Sequence, residues 1–324
     1  MGSTLPDRRA VGFGLLAGAL TAPGLARAQM HAPPKVTLID PDAVPDSVLA
    51  ASADAAHRMT VPVTVNGRGP FPFIVDTGST ATVLSDALAA QLGLRPGGKL
   101  LVKAATGVAE SGAVRVESLA VGRRRLANLL TPVLARSDLG ALGLLGIDAM
   151  SRQKLVMDFR KNQMLLTTSS RRREDPRAFT VTAKSKYGQL LLVDCNVEGM
   201  PLYVILDTGS ELTIGNVTMR TMLERHRAAY EVEVAGVTGA AVTAPIGLLS
   251  VLAVGHNVEV TNLRVAYADL YVFDQFGLHD KPALLLGMST LRHFARVSID
   301  FPAREVRLSL ETESLMGQVE SPDR

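Results

Sequence analysis

The stretch Phe73–Thr80 reads FIVDTGST, and Val204–Glu211 reads VILDTGSE. Each is an apolar run that ends in Asp-Thr-Gly-Ser. A short apolar run with β-branched residues, bounded by turn residues, reads as a buried strand, and the polar tetrad as the turn that leaves it. The two copies thus place Asp76 and Asp207 at the ends of two strands of the same kind. A pair of facing carboxylates can supply both a base and an acid to one water molecule.

The likeness continues on both sides of the tetrads. Upstream lies a strand with a turn, Val63-Thr-Val-Asn-Gly67 in one half and Leu192-Val-Asp-Cys-Asn-Val-Glu-Gly199 in the other. Downstream come a Thr-Gly turn (Thr106-Gly107, Thr238-Gly239), a Leu-Ala-Val-Gly string (Leu119–Gly122, Leu252–Gly255) and a Leu-Leu-Gly (Leu144-Leu145-Gly146, Leu285-Leu286-Gly287). Each half closes with an Asp-Phe strand, Val156–Phe159 and Ser298–Phe301. These landmarks in the same order describe a duplicated domain of about 110 to 130 residues, an ordinary domain size. Two repeats are too few for a solenoid, so the expectation is two homologous lobes that face each other.

Strand patterns dominate both halves. In the first they run over Thr60–Val65, Phe71–Asp76, Lys99–Ala105, Ala113–Val121, Leu126–Leu134 and Leu155–Leu166. One helix is predicted after a Ser85 cap, with Leu88 and Leu92 on one face and Gly93 as its stop. A counterpart is expected from about Asn216 to Arg225, and short helices after Gly146 and Gly287. The fold class is therefore mainly β, bilobal, with two β-barrel-like lobes and short helices. Lobe 1 is assigned to 58–166 and lobe 2 to 179–310. The polar stretch 167–178 between them reads as a linker, 29–57 as a mobile or loosely docked N-terminal arm and 311–324 as a C-terminal tail.

Composition narrows the function. The chain has 324 residues, no Trp and a formal net charge of +3. Part of that charge sits in the leader and in the Arg171-Arg172-Arg173 run, so nothing points to nucleic acid. Arg123-Arg124-Arg125 reads as a solvated hairpin turn. Cys195, the single cysteine, alternates with Asp194 and Asn196 on a predicted strand and reads as a core residue; no intramolecular disulfide can form. The six histidines (31, 57, 226, 256, 279, 293) show no short-spaced pairing with Cys or each other, so no metal site and no cofactor are expected. At the N-terminus Arg8-Arg9, an uncharged stretch from Ala10 to Ala26, and Ala26-Arg27-Ala28 form a signal peptide over 1–28. The twin Arg fits a Tat signal and the rest an ordinary Sec signal. The expectation is an exported, periplasmic protein without stable membrane insertion after cleavage.

The order of residues in the tetrad has a chemical logic. The apolar residues anchor the strand, and the carboxylate emerges at its end. The glycine allows a tight bend and close approach of a partner. The Thr and Ser hydroxyls can hydrogen-bond across the site or to the carboxylate, and Ser79 and Ser210 are expected beside the ionised forms. Two carboxylates in contact cannot both ionise cheaply, so the pair keeps one proton and titrates as a unit. Activity on the acidic side of neutral follows.

On these residues the sequence resembles the retropepsin and pepsin-type aspartic proteases, in a form with two fused retroviral-type lobes, over about 58 to 310. The resemblance implies the bilobal acid-protease fold. It implies that Asp76 and Asp207 carry catalysis and that Thr77 and Thr208 interlock beneath them. Gly78, Ser79, Gly209 and Ser210 would complete the loops. Leu144, Leu145, Gly146, Leu285, Leu286 and Gly287 would pack around them. The hairpins at Thr106-Gly107 and Gly236–Gly239, with Thr238, would be the flaps, although the first has no tyrosine and neither has a Gly-rich tip. The implied function is an aspartic endopeptidase acting as a monomer on a peptide or protein substrate. The alternative is a catalytically silent peptide-binding protein that uses the same cleft, with Asp-Thr-Gly serving as a turn.

The exported form is expected to begin at Gln29, after the small-x-small site. Intact-mass analysis checks this; a secreted species that retains residues 1–28 would contradict it.

Overall fold

The computed structural model describes residues 35–38, 49–52, 58–169, 178–223, 230–255 and 258–310. The stretch read as a signal peptide, the tail, most of the stretch read as a linker and the end of the helix expected to reach Arg225 lie outside the described residues.

Two short strands, β1 (Lys35–Leu38) and β2 (Leu49–Ser52), precede lobe 1. Lobe 1 then comprises β3 (Thr60–Val65), β4 (Arg68–Val75), β5 (Val83–Ser85), α1 (Asp86–Leu92), β6 (Pro96–Ala104), β7 (Gly107–Val121), β8 (Arg124–Leu134), α2 (Arg136–Leu139), β9 (Gly143–Leu145) and α3 (Ile147–Met150). Its closing strands are β10 (Gln153–Asp158) and β11 (Gln163–Thr168). Lobe 2 follows with β12 (Phe179–Lys186), β13 (Gln189–Val197), β14 (Met200–Leu206), β15 (Ile214–Gly215), α4 (Val217–Leu223), β16 (Tyr230–Ala235), β17 (Ala241–Val254), β18 (Val258–Tyr267), α5 (Tyr271–Phe276), β19 (Ala283–Leu286), α6 (Met288–Leu291), β20 (Arg296–Asp300) and β21 (Glu305–Ser309).

The duplication seen in the sequence is a duplication of topology. In lobe 1 the ring β3-β4-β9-β5-β8-β7 closes through a β7–β3 pairing, and in lobe 2 β13-β14-β19-β15-β18-β17 closes through β17–β13. Closure removes the free edges of each six-stranded sheet. One further strand hangs from each ring, β6 on β7 and β16 on β17, and these are the two hairpins read as flaps. The alternation of inward apolar residues explains why these stretches are strands: Val61, Val63 and Val65 of β3 and Leu119 and Val121 of β7 are buried.

The lobes are joined by pairing. β10 lies antiparallel to β20, with Leu155 opposite Ile299 and Met157 opposite Val297. β11 flanks β10, and β21 joins β20 to β12. The apolar core is continuous through this shared sheet, from Val61 and Phe73 in lobe 1 through Leu155 and Ile299 to Leu252 and Leu286 in lobe 2. Each fully buried Leu, Ile or Phe contributes about 1.5–3 kcal/mol, so the lobes are held as one body.

The first helix forms as its sequence suggests. The Ser85 side chain accepts from Leu88 N at 3.1 Å, and Gly93 ends the helix at φ 62°. Short helices do follow Gly146 and Gly287. Two expectations need revision. Leu155–Leu166 is not one strand but the hairpin β10–β11, because Asn162 takes a left-handed φ of 49° and reverses the chain. Within the arm, β1 pairs with β11 and β2 pairs with β1, so these two segments extend the shared sheet. Among the described residues no helix is long and apolar enough to cross a membrane.

Candidate active site

The two Asp-Thr-Gly loops meet at the centre of the molecule, each positioned by the Leu-Leu-Gly element of its own lobe. β4 runs parallel to β9 and β14 parallel to β19, so Asp76 N donates to Leu145 O and Asp207 N to Leu286 O, both at 3.1 Å. On the far side of each loop, Ile147 N donates to Ser79 O at 2.9 Å and Met288 N to Ser210 O at 2.8 Å. A Cβ on Gly146 would collide with Ala81, and one on Gly287 with Leu212.

The threonines tie one loop to the other. Thr77 Oγ1 donates to Leu206 O at 3.0 Å and accepts from Thr208 N at 3.1 Å; Thr208 Oγ1 donates to Val75 O at 2.7 Å and accepts from Thr77 N at 3.1 Å. Both side chains are buried. The glycines permit the approach. A Cβ on Gly78 would stand 2.6 Å from Asp207 Oδ1, and one on Gly209 2.6 Å from Asp76 Oδ1. Each glycine therefore makes room for the carboxylate of the opposite lobe.

The carboxylates are buried and share a hydrogen bond. Asp76 Oδ1 accepts from Gly78 N at 2.8 Å and Ser79 N at 2.9 Å; Asp207 Oδ1 accepts from Gly209 N at 2.9 Å. Burial pushes both above the usual carboxylate range. For Asp76 the backbone donors, the hydrogen bond from Asp207 and the Arg58 charge act against that rise. Asp207 goes well above the range because the Asp76 charge adds to burial. The pair therefore keeps one proton between its two carboxyls.

The serine hydroxyls do not do what the sequence suggested. Ser79 Oγ donates to Ala81 O at 2.7 Å and Ser210 Oγ to Leu212 O at 2.9 Å, each closing its own turn. The backbone N–H groups of the loops hold the carboxylates instead, because the tight turn already aims them there.

Sequence reading missed several residues. Thr82 and Thr213 follow their aspartates at the same offset and hold the Leu-Leu-Gly elements: Gly146 N donates to Thr82 Oγ1 and Gly287 N to Thr213 Oγ1, both at 3.2 Å. Thr82 Oγ1 donates in turn to Asp148 Oδ1 at 2.7 Å. The repeated Thr-Val and Thr-Ile pairs after each tetrad were the available signal. The helix α5 was also missed, although Val272, Phe273 and Phe276 before Gly277 have helical spacing.

A cleft of about 560 Å³ opens over the carboxylates. Val83 and Leu144 of lobe 1 and Ile214 and Leu285 of lobe 2 line it beside the pair, with Arg58 and Gln189. The hairpins read as flaps roof it, and both cross to the other lobe. Val272 N of α5 donates to Ala105 O at 3.1 Å, and Ala105 packs with the lobe 2 cluster of Ile205, Ile214 and Leu285. Val237 packs with Ile74, Val83 and Leu144 of lobe 1. Thr106 sits against Gly236, where a side chain could not fit, and Gly107 and Thr238 lie in the same two hairpin ends. Among the described residues no group of three or more His, Cys, Asp or Glu side chains is placed to hold a metal ion.

Two family models match the chain. One, described as gag-polyprotein putative aspartyl protease, matches residues 61–152, and the other, described as aspartyl protease, matches residues 193–290. They fall one on each lobe and together span more than half of the chain. A search among curated proteins finds no match.

The threonine interlock sets a stability test. Thr77→Val keeps the shape but leaves Leu206 O and Thr208 N without their buried partner. Urea unfolding should show a loss of about 1–3 kcal/mol for each group left unpaired. A loss below roughly 0.5 kcal/mol would mean that the loops are held elsewhere.

Proposed function

We propose that this chain, which belongs to the retropepsin-like aspartic proteases, is an endopeptidase that hydrolyses peptide bonds with the Asp76–Asp207 pair. The observation that carries the reading is the hydrogen-bonded pair of buried carboxylates, one from each lobe, at the floor of a roofed cleft lined by aliphatic side chains. Such a cleft suits an extended peptide, with backbone lying between the flaps and the loops and side chains entering the apolar walls on either side.

The chemistry uses one proton on the pair, with Asp76 as the ionised member and Asp207 as the protonated one. The ionised Asp76 takes a proton from a water molecule as its oxygen attacks the peptide carbonyl carbon. Asp207 gives its proton to the carbonyl oxygen, so a neutral tetrahedral diol forms and the pair holds one proton throughout. In the second step the C–N bond breaks. The proton on Asp76 passes to the departing nitrogen, and Asp207 recovers a proton from a diol hydroxyl as the carboxylic acid forms. Roofing excludes bulk water and strengthens each of these interactions.

The leader motif supports export to the periplasm, and the presence of both loops in one chain supports a monomeric enzyme. The aliphatic walls beside the pair favour substrates with apolar side chains around the scissile bond.

Asp76→Asn and Asp207→Asn should each lower peptide cleavage by on the order of 10²–10⁴-fold or more, because each leaves one carboxylate to be both acid and base. For the intact enzyme, activity requires one proton on the pair. It should fall at low pH, where both carboxyls are protonated and no base remains, and at high pH, where Asp207 has lost its proton and no acid remains. Assays on a panel of unstructured peptides across pH check both. A folded protein that binds peptides and cleaves none would show a silent binding cleft, and a rate still rising beyond the ionisation of Asp207 would exclude the mechanism.

A further inference from the structure

We propose that Arg58 and Gln189, which occupy the same place in the two lobes, make the two carboxylates unequal and assign the base to Asp76 and the acid to Asp207. This deepens the reading above and rests on it. The equivalence is given by register. Thr60 pairs with Ile74, two residues before Asp76, and Leu191 pairs with Ile205, two residues before Asp207. Arg58 and Gln189 each stand two residues ahead of those partners, hence 18 residues ahead of their aspartates (76 − 58 and 207 − 189). Both line the cleft.

The loops contribute a first inequality, since Asp76 Oδ1 accepts from Gly78 N and Ser79 N while Asp207 Oδ1 accepts from Gly209 N. Positions 58 and 189, each opposite its own aspartate in strand register, add a difference of charge from outside the loops. In lobe 1 the residue is a guanidinium, a cation. Arg58 Nη2 donates to Leu139 O at 2.8 Å, which holds the cation on the cleft wall at the carboxyl end of α2, where a Cβ on the next residue, Gly140, would stand 2.8 Å from it. In lobe 2 the residue is a neutral amide. Gln189 is buried, and its Nε2 donates to Gly78 O, so it serves as a strut from lobe 2 to the opposite loop.

The other charged groups of the cleft are placed differently. Lys103 and Glu233 lie on the flap strands and are exposed. Glu211 is paired with Arg292 at 2.8 Å, and Asp138 accepts from Ser137 and faces Gly239. Arg58 is the cation whose charge acts on Asp76, and it favours the ionised form. Asp207 meets the Asp76 charge instead and keeps the proton.

The test reads each carboxylate alone. In the Asp207→Asn protein, ¹³C-labelled aspartate reports the titration of Asp76. Arg58→Gln should move that titration to higher pH, and Arg58→Lys should bring it back toward its starting point. In the Asp76→Asn protein, Arg58→Gln should move the titration of Asp207 less. In the intact enzyme, Arg58→Gln should shift the acidic limb of the kcat/KM profile to higher pH. An unmoved Asp76 in a folded Arg58→Gln protein, or equal movement of both aspartates, would overturn the proposal. Should Arg58→Gln fail to fold, Gln189→Arg gives the mirror experiment: it should lower the titration of Asp207, and an unmoved Asp207 overturns the proposal. A wild-type protein that cleaves no peptide would sink the protease reading, while the titrations would still decide this one.

Discussion

Each Asp-Thr-Gly loop hangs from the other by a threonine. The Thr77 hydroxyl donates to the strand that carries Asp207, and the Thr208 hydroxyl to the strand that carries Asp76. Neither lobe can satisfy these buried groups alone, since every acceptor and donor involved lies in the other half. The cost of an unpaired buried polar group, about 1–3 kcal/mol, therefore works for association of the lobes at one geometry. The same geometry requires Gly78 and Gly209, because any side chain there would occupy the space of the opposite carboxylate. The tetrad is thus a statement about a partner loop as much as about its own turn.

From that contact the electrostatics follow. Two carboxylates brought together away from water raise one another's affinity for protons, and one proton is retained between them. The barrel strands beneath supply the rigidity this needs. Leu145 and Leu286 take the aspartate N–H groups, and Thr82 and Thr213 hold the glycines after those leucines. The paired strands β10 and β20 then fix the distance between the lobes from below, while the flaps cross above to the opposite wall. The cleft is enclosed by elements that each lobe lends to the other.

Much of this was legible in the chain because it is written twice. A turn with Asp, Thr and Gly after an apolar strand is local chemistry, and its repetition with a second Leu-Leu-Gly gave the barrels, the short helices after Gly146 and Gly287, and the interlocking threonines by resemblance. What escaped was the part decided across the lobes or by hydroxyl geometry. Ser79 and Ser210 were expected at the carboxylates, yet a serine two residues from a free carbonyl closes its own turn. The run Leu155–Leu166 looks continuous by hydropathy, and only the left-handed Asn162 shows that it folds back. Arg58 and Gln189 gave no signal as a pair, because they differ in type and become equivalent only once the strands are in register.

The central claim is that one chain holds one complete carboxylate pair. Joining the lobes covalently makes their association intramolecular, so the pair does not depend on concentration. The most direct measurement is specific activity on serial dilution to about nanomolar protein. The account predicts a constant value per molecule. A steep fall on dilution, restored by concentrating the sample, would show that the working pair is assembled between chains and would contradict it.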